Sequence, residues 1–291
     1  MPNADGSDYK SIWMWLKEVP FSQQYVVSNG IRTRVATAGD PKNPAVTLLH
    51  GTGGHWEAYA PILGALAQDY FVIAPDYVGC GFTDKPRTPW TIKTYQDHVL
   101  GLLDHFGVTK STFFGMSLGA WIAGSLGRDY PERTSKLVLM SPAGVLVKTG
   151  NMERIRRERT QAVEGADWAS IKVLFDHLIA SEDNKIDDII ATRLAIYKRQ
   201  DTRETIDSML YLQQPGIQED NLVTEEQWKA LQAPTLLTHA GKDVEDFKSA
   251  SQQLEKWIPN VESFQMPEVA HWPSFEDPEA FIPVMLKFLA K

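Results

Sequence analysis

An α/β fold built on a mostly parallel sheet follows from three features of this 291-residue chain. Short apolar, β-prone runs alternate with helix-compatible stretches through the first half and again near the end, the pattern of a sheet with helices on both faces. A glycine-flanked serine, Gly115-Met116-Ser117-Leu118-Gly119, stands where one such run gives way to a helix. Between residues 145 and 231 the alternation stops and only helix-like segments are found. The expectation is an eight-stranded sheet core from residues 1–144 and 232–291, with a helical cap of residues 145–231 inserted over it.

Taken in order, residues 1–20 give a polar start and then the aromatic run Ile12-Trp13-Met14-Trp15-Leu16, ended by Pro20. Lying against the core and closing over a site are both open to it. Asn29-Gly30 between two β-prone runs predicts a hairpin of two antiparallel strands. Ala45 to Leu49 reads as a buried strand that ends in His50-Gly51-Thr52-Gly53-Gly54. Glycines beyond a strand's carboxyl end let the backbone approach a ligand, so Gly51 and Gly53 are candidate substrate contacts. A phosphate turn is disfavoured, because neither a Gly-x-Gly-x-x-Gly nor a Gly-Lys-Ser/Thr pattern follows. His50 and His55 lack a third ligand at metal spacing, and no metal is expected.

A helix over Trp56 to Asp69 leads to a strand at Tyr70 to Ala74 and a turn-rich loop. There Asp76 reads as a loop-ordering acceptor rather than a catalytic acid. An amphipathic helix is predicted over Thr94 to Phe106. The serine motif follows, then a helix to about Asp129 and a strand at Lys136 to Met140. Within the cap, helices are predicted over Trp168 to Ala180 and Ile186 to Arg199. Strands at Pro234 to His239 and Val261 to Gln265, and a helix from Pro278 to Leu289, complete the chain.

Composition excludes several functions. Hydrophobic residues make up 43% and charged residues 23%, ordinary for a soluble domain with a large core. A net charge of −8 argues against nucleic acid as a partner. The densest basic cluster, Arg154, Arg156, Arg157 and Arg159, alternates with Glu153 and Glu158 and reads as a solvated helix face. With a single cysteine, Cys80, no intrachain disulfide can form, and that residue reads as buried rather than nucleophilic. No signal pattern or long apolar run is present, so the expectation is a cytoplasmic protein that does not enter the membrane. The sequence leaves a homo-oligomer open.

Strand, tight turn and helix in that order are what a nucleophile elbow requires. Serine at its free pKa is a poor nucleophile, so a histidine must take its proton. His271 follows the last predicted strand, and Asp243 follows the one before it. A carboxylate there would fix the imidazole tautomer and stabilise its protonated form. Asp246 is the rival for the acid, and Asp243 has the alternative task of capping the helix that follows. The N–H of Thr52 or a neighbour, and the N–H groups at the start of the helix after Ser117, are candidates for the oxyanion hole.

The chain order Ser117, Asp243, His271 and four longer stretches resemble the α/β-hydrolases. The stretches are Phe71 to Pro86, Val138 to Gly144, Pro234 through Asp243, and His271 to Phe281. More narrowly the chain resembles the meta-cleavage-product hydrolases, which hydrolyse a carbon–carbon bond in vinylogous diketo acids formed by aromatic ring opening. The resemblance implies catalytic Ser117 and His271, an oxyanion hole made by the N–H groups of Thr52 and Leu118, a small-molecule substrate and no cofactor. It also implies that Arg193 meets the substrate's carboxylate, against a plain reading as a surface helix arginine, and that Trp272 lines the pocket. Three departures stand out: Met116 replaces an Asn, Gly51-Thr52-Gly53-Gly54 replaces a Gly-Gly-Gly-Pro run, and Ala120 replaces a glycine. Met116 and the tryptophans suit an apolar acyl pocket, so an esterase or lactonase is the rival activity. A ligand receptor on the same scaffold is the rival from outside enzymology.

Overall fold

The computed structural model describes residues 9–146 and 149–291, so the polar start at 1–8 lies outside the described residues. Eight strands form one sheet in the order β1-β2-β4-β3-β5-β6-β7-β8. They are β1 Phe21–Ser28, β2 Ile31–Ala38, β3 Ala45–Leu49, β4 Phe71–Pro75, β5 Ser111–Met116, β6 Thr134–Met140, β7 Thr235–Ala240 and β8 Val261–Met266. Asn29 and Gly30 take positive φ values of 49° and 79°, which turns β1 back on β2 as the hairpin requires. β2 pairs antiparallel with β1 and β4, and every other pairing is parallel.

Both faces of the central parallel strands β3, β4 and β5 are buried, whereas β8 at the edge is largely exposed, and the side chains divide by the two-residue period. On β5 and β6, Phe114, Met116, Val138 and Met140 join one apolar layer, while Phe113, Leu137 and Leu139 join the other. The first layer receives α1 Ile12–Leu16, α2 Ala60–Leu66 and the last helix, Pro278–Leu289. The second receives α3 Ile92–His105, α4 Leu118–Asp129 and the helix Glu245–Trp257. Thus α1 lies against the core through Ile12 and Leu16, and the Ile12 N–H also donates to Asp188, 2.8 Å away.

Chain direction within the sheet reverses at β3. From β3 the chain steps to β4 on one side, then crosses to β5 on the other. Loops diverge at such a switch point and leave a crevice at the carboxyl ends of the strands. The loop after β3 and the turn after β5 border that crevice.

Between β6 and β7 only helices and turns occur among the described residues. The longer helices are α5 Thr149–Gly165, α6 Trp168–Asp176 and α7 Asp187–Tyr197. The sequence predicts α6 as far as Ala180, but the helix stops at Asp176. Its next backbone groups have tertiary partners instead: the Leu178 carbonyl accepts from His271 N–H, and Ala180 N–H donates to Glu276. No helix among the described residues is long and apolar enough to cross a membrane.

One contact sets how closely α4 approaches the sheet. A Cβ on Gly119 would lie 1.9 Å from the backbone oxygen of Leu49, and one on Gly115 would lie 2.3 Å from the Gly119 oxygen. Backbone atoms cannot swing aside as a side chain can. Replacing Gly119 with Ala is therefore expected to destabilise the protein by roughly 3 kcal/mol, the upper range for overpacking, read as a lower urea midpoint. Gly150→Ala, where nothing lies within 4 Å, is the control and should change the midpoint little.

Candidate active site

Ser117 has φ 57° and ψ −116°, a strained geometry for a residue with a side chain. The strain is held on both sides: Ser117 N–H donates to the Met140 carbonyl at 3.0 Å, and its carbonyl accepts from Ala120 N–H at 3.0 Å. The turn places Ser117 at the start of α4, with the free N–H groups of that helix's first turn beside it.

The loop after β3 approaches the same point. A Cβ on Gly51 would lie 3.3 Å from the Ser117 Cβ, so only a glycine lets the loop run this close without displacement. His50 sets the loop's course. Its ring stacks on Tyr77 at 4.0 Å, its Nδ1 is 2.8 Å from the Gly51 carbonyl, and its own carbonyl accepts from the Tyr77 hydroxyl. Gly53, at φ 62°, faces away from the serine, toward Tyr197 and Met209 of the inserted segment. Among the described residues the backbone N–H groups of Thr52 and Leu118 have no hydrogen bond, which leaves both free to receive an oxyanion.

His271 Nδ1 lies 3.0 and 3.1 Å from the two carboxylate oxygens of Asp243. Both side chains are buried. Asp243 Oδ1 also accepts from Val244 N–H at 2.7 Å, so the aspartate helps start the next helix as well as meeting the imidazole. Asp246 opens on a separate pocket beside Ala143 and Gln218. The loop carrying His271 is fixed by Glu276, which sequence reasoning did not single out. Its carboxylate accepts from the N–H groups of Ala270 at 2.9 Å, Trp272 at 3.4 Å and Ala180 at 2.6 Å. Burial, opposed by those donors, raises the Glu276 pKa above its ordinary value.

Ser117, His271 and Thr52 line one narrow cavity, of about 40 Å³. That volume holds only a few water molecules. Its apolar wall is Ile155, Leu174, Leu178 and Phe247, the last with its ring 4.3 Å from that of His271. Its polar wall is Arg154, Glu158 and Arg159 of α5 with His177. The arginine cluster is therefore not wholly a solvated face: Arg154 and Arg159 turn inward. No hydrogen bond reaches the Ser117 hydroxyl among the described residues, and in unliganded enzymes this contact is often long.

Three expected pocket residues lie elsewhere. Met116 is buried in the apolar cluster that also holds Phe114 and Met140, and is not among the residues lining the cavity. Trp272 packs edge-on between Phe175 and Phe275, at 5.6 and 5.5 Å. Arg193 is not a surface arginine. It is 1% exposed, stands over the rings of Phe175 and Tyr197 at 5.5 and 5.6 Å, and does not border the cavity.

Asp76 is buried and orders its loop as expected, accepting from the N–H groups of Trp56 and Phe82, both at 2.9 Å. It also receives Arg34 Nε at 2.6 Å, and the same guanidinium forks onto Glu57 with two contacts of 2.9 Å. His55 Nδ1 is 2.9 Å from Glu57. Cys80 is fully buried, and burial pushes its thiol up to about 12, far from thiolate reactivity at neutral pH. Among the described residues no group of three or more His, Cys, Asp or Glu is placed to hold a metal ion.

A family model described as alpha/beta hydrolase fold matches residues 44–278. The chain is 28% identical over 271 residues to 2-hydroxymuconate semialdehyde hydrolase of Pseudomonas putida, covering 91% of this chain and 93% of that one. It is also 28% identical over 289 residues to 2-hydroxy-6-oxo-6-(2'-aminophenyl)hexa-2,4-dienoic acid hydrolase of Metapseudomonas resinovorans, covering 94% and 93%. Among solved structures, 2-hydroxy-6-oxo-6-phenylhexa-2,4-dienoate hydrolase from Rhodococcus sp. strain RHA1 superposes with a TM-score of 0.84 at 25% identity, covering 94% of this chain and 100% of that one.

Two stability measurements follow. Glu276→Ala frees three N–H groups that pin the His271 loop to the inserted segment. A loss of about 2 kcal/mol is expected, seen in thermal melts together with reduced turnover. Burial also pushes His50 and His98 down to about 3. His98 accepts from Val78 N–H through Nδ1, which protonation would break. Both stay neutral in the fold while the unfolded chain takes up protons below about pH 6.5. Stability should thus fall as pH drops from about 6.5 toward 3, by up to about 1.4 kcal/mol per histidine per pH unit. A melting temperature flat from pH 7 to pH 5 would contradict this.

Proposed function

The chain belongs to the alpha/beta hydrolase fold family and is a hydrolase, and on that premise we propose that Ser117, His271 and Asp243 form its catalytic triad. One observation carries the assignment: the strained serine and a histidine backed by a buried aspartate border one cavity. The substrate we propose is a ring-opened aromatic metabolite of the vinylogous diketo acid class, hydrolysed at a carbon–carbon bond. The names of the full-length relatives support this class. Residues 145–231 act as the cap, and the substrate lies between cap and sheet.

In this mechanism Ser117 Oγ attacks the substrate's carbonyl carbon as His271 Nε2 takes the hydroxyl proton. Asp243, on Nδ1, holds the ring in the tautomer that leaves Nε2 free, and stabilises the imidazolium. Negative charge gathers on the carbonyl oxygen, where the N–H groups of Thr52 and Leu118 receive it. As the tetrahedral centre collapses, the carbon–carbon bond breaks and its electron pair passes to the carbon conjugated with the keto acid. His271 returns its proton to that carbon. Water, deprotonated by His271, then releases the acyl group from Ser117 as a carboxylic acid. The residues that carry these steps are all drawn from the chain itself.

Ester or lactone hydrolysis through the same acyl-enzyme is the second reading. The apolar wall of Ile155, Leu174, Leu178 and Phe247 favours it. A p-nitrophenyl ester and a coloured dienoate, assayed side by side on the wild type and Ser117→Ala, separate the two. Activity of the variant should fall by about 10³-fold or more, with a nearly unchanged melting temperature. Turnover of the ester alone would remove the carbon–carbon assignment. Failure of a fluorophosphonate to label Ser117 in the native protein would instead favour a ligand receptor.

A further inference from the structure

The turn that carries Thr52 is held on two sides by different parts of the chain. It runs from Gly51 to Gly54 and is closed by a 3.0 Å hydrogen bond from Gly54 N–H to the Gly51 carbonyl. Its three glycines mark three close approaches. A Cβ on Gly51 would lie 3.3 Å from the Ser117 Cβ, and one on Gly54 would lie 2.7 Å from Nδ1 of His50. Both of those neighbours belong to the sheet core. A Cβ on Gly53 would instead lie 2.6 Å from the Tyr197 hydroxyl and 3.0 Å from the Met209 sulfur. Tyr197 ends α7, and Met209 ends the short helix Ile206–Met209, so the inserted segment closes this side of the turn.

The Tyr197 ring is firmly placed. It is fully buried in the apolar cluster that holds Phe175 and Ile196, and Arg193, one turn earlier on α7, stands over it at 5.6 Å. Its hydroxyl lies near the Arg193 guanidinium but has no hydrogen-bond partner of ordinary geometry among the described residues. Burying a hydroxyl without a partner is unfavourable, and the ring would pack as well without it. What the oxygen does is fill the space beside Gly53. That residue sits at φ 62° with no side chain of its own to wedge it, and a glycine has the freest backbone of any residue.

We propose that Tyr197 is a positioning residue: its hydroxyl oxygen is the stop against which the turn rests at Gly53, and it thereby aims the Thr52 N–H at the oxyanion. This deepens the proposed function, on which it rests for the place of the oxyanion beside Thr52. The hole is then complete only with α7 packed down, so the inserted helices share in the catalytic geometry.

Steady-state kinetics with a p-nitrophenyl ester and inhibition by phenylboronic acid test this on wild type, Tyr197→Phe, Gly53→Ala and the double variant. On binding, an oxygen–boron bond forms to Ser117, His271 takes the hydroxyl proton, and the boron becomes a tetrahedral anion with an oxygen in the hole. Tyr197→Phe should lower kcat roughly 10-fold and weaken boronate inhibition by a similar factor, less than the 10²- to 10³-fold that follows outright loss of an oxyanion donor. KM should stay within about 2-fold and the melting temperature should hold. Gly53→Ala should also lower kcat, because its methyl meets the Tyr197 oxygen. With that oxygen gone the methyl would stand 3.6 Å from the ring carbon that bore it, an ordinary contact. The double variant should therefore be faster than Gly53→Ala alone.

An unchanged kcat in Tyr197→Phe, or additive losses in the double variant, would overturn the proposal. So would a raised KM with kcat intact, which would make the hydroxyl a ground-state contact to substrate. Should Gly53→Ala fail to fold, the comparison of wild type with Tyr197→Phe decides. A wild type indifferent to the boronic acid, with full turnover in Ser117→Ala, would lose the triad and this role with it. Equal inhibition of wild type and Tyr197→Phe would lose the positioning role alone.

Discussion

Everything at this site depends on how near α4 comes to β3. Gly119 touches the backbone of Leu49 with no room for a methyl group, and Gly115 touches Gly119 in the same way. This contact forces the turn between them to be sharp, and the sharp turn forces Ser117 to a positive φ. An ordinary strand-to-helix loop would relax that strain. Here relaxation would have to pull α4 off the sheet, breaking the hydrogen bond that Ser117 N–H donates to the Met140 carbonyl. The packing of a whole helix therefore holds one strained residue in place.

Once the serine is fixed at the switch point between β3 and β5, its neighbours must be brought to it. Two buried polar clusters do this from opposite sides. On one side Arg34 of β2 holds Asp76 and Glu57, tying the loops after β3 and β4 to the hairpin edge of the sheet. Burial disfavours the Arg34 charge, but Asp76 and Glu57 outweigh it and raise its pKa. The cluster is stable as a whole and unfavourable in part, because removal of any member leaves a buried charge unpaired. On the other side Glu276 gathers the N–H groups of the His271 loop and of Ala180. That one carboxylate joins the sheet's last loop to the inserted helices, so the histidine and those helices hold their positions together.

The inserted helices then decide what kind of cavity forms. They present an apolar wall and, beside it, a row of charges from α5. The sheet core carries the serine, the aspartate and the histidine, whereas α5 supplies charged side chains to the wall of the cavity.

Much of this was legible in the residues alone. The alternation of strands and helices, the Asn29-Gly30 hairpin and the motif around Ser117 all rest on local rules, which act over a few residues and need no partner. The order of Ser117, Asp243 and His271 at the ends of successive strands is likewise written along the chain. Tertiary packing decided the rest. Asp243 and Asp246 are close in sequence, and only the docking of the last loop shows that Asp243 meets His271. Arg156, Arg157 and Arg159 share one short stretch of α5, and the rotation of that helix on the cavity turns Arg159 inward. Met116 adjoins the serine, yet it is buried in the apolar cluster and does not line the cavity. Local sequence fixes which element a residue occupies. The direction its side chain takes depends on what packs against that element, and those partners come from distant parts of the chain.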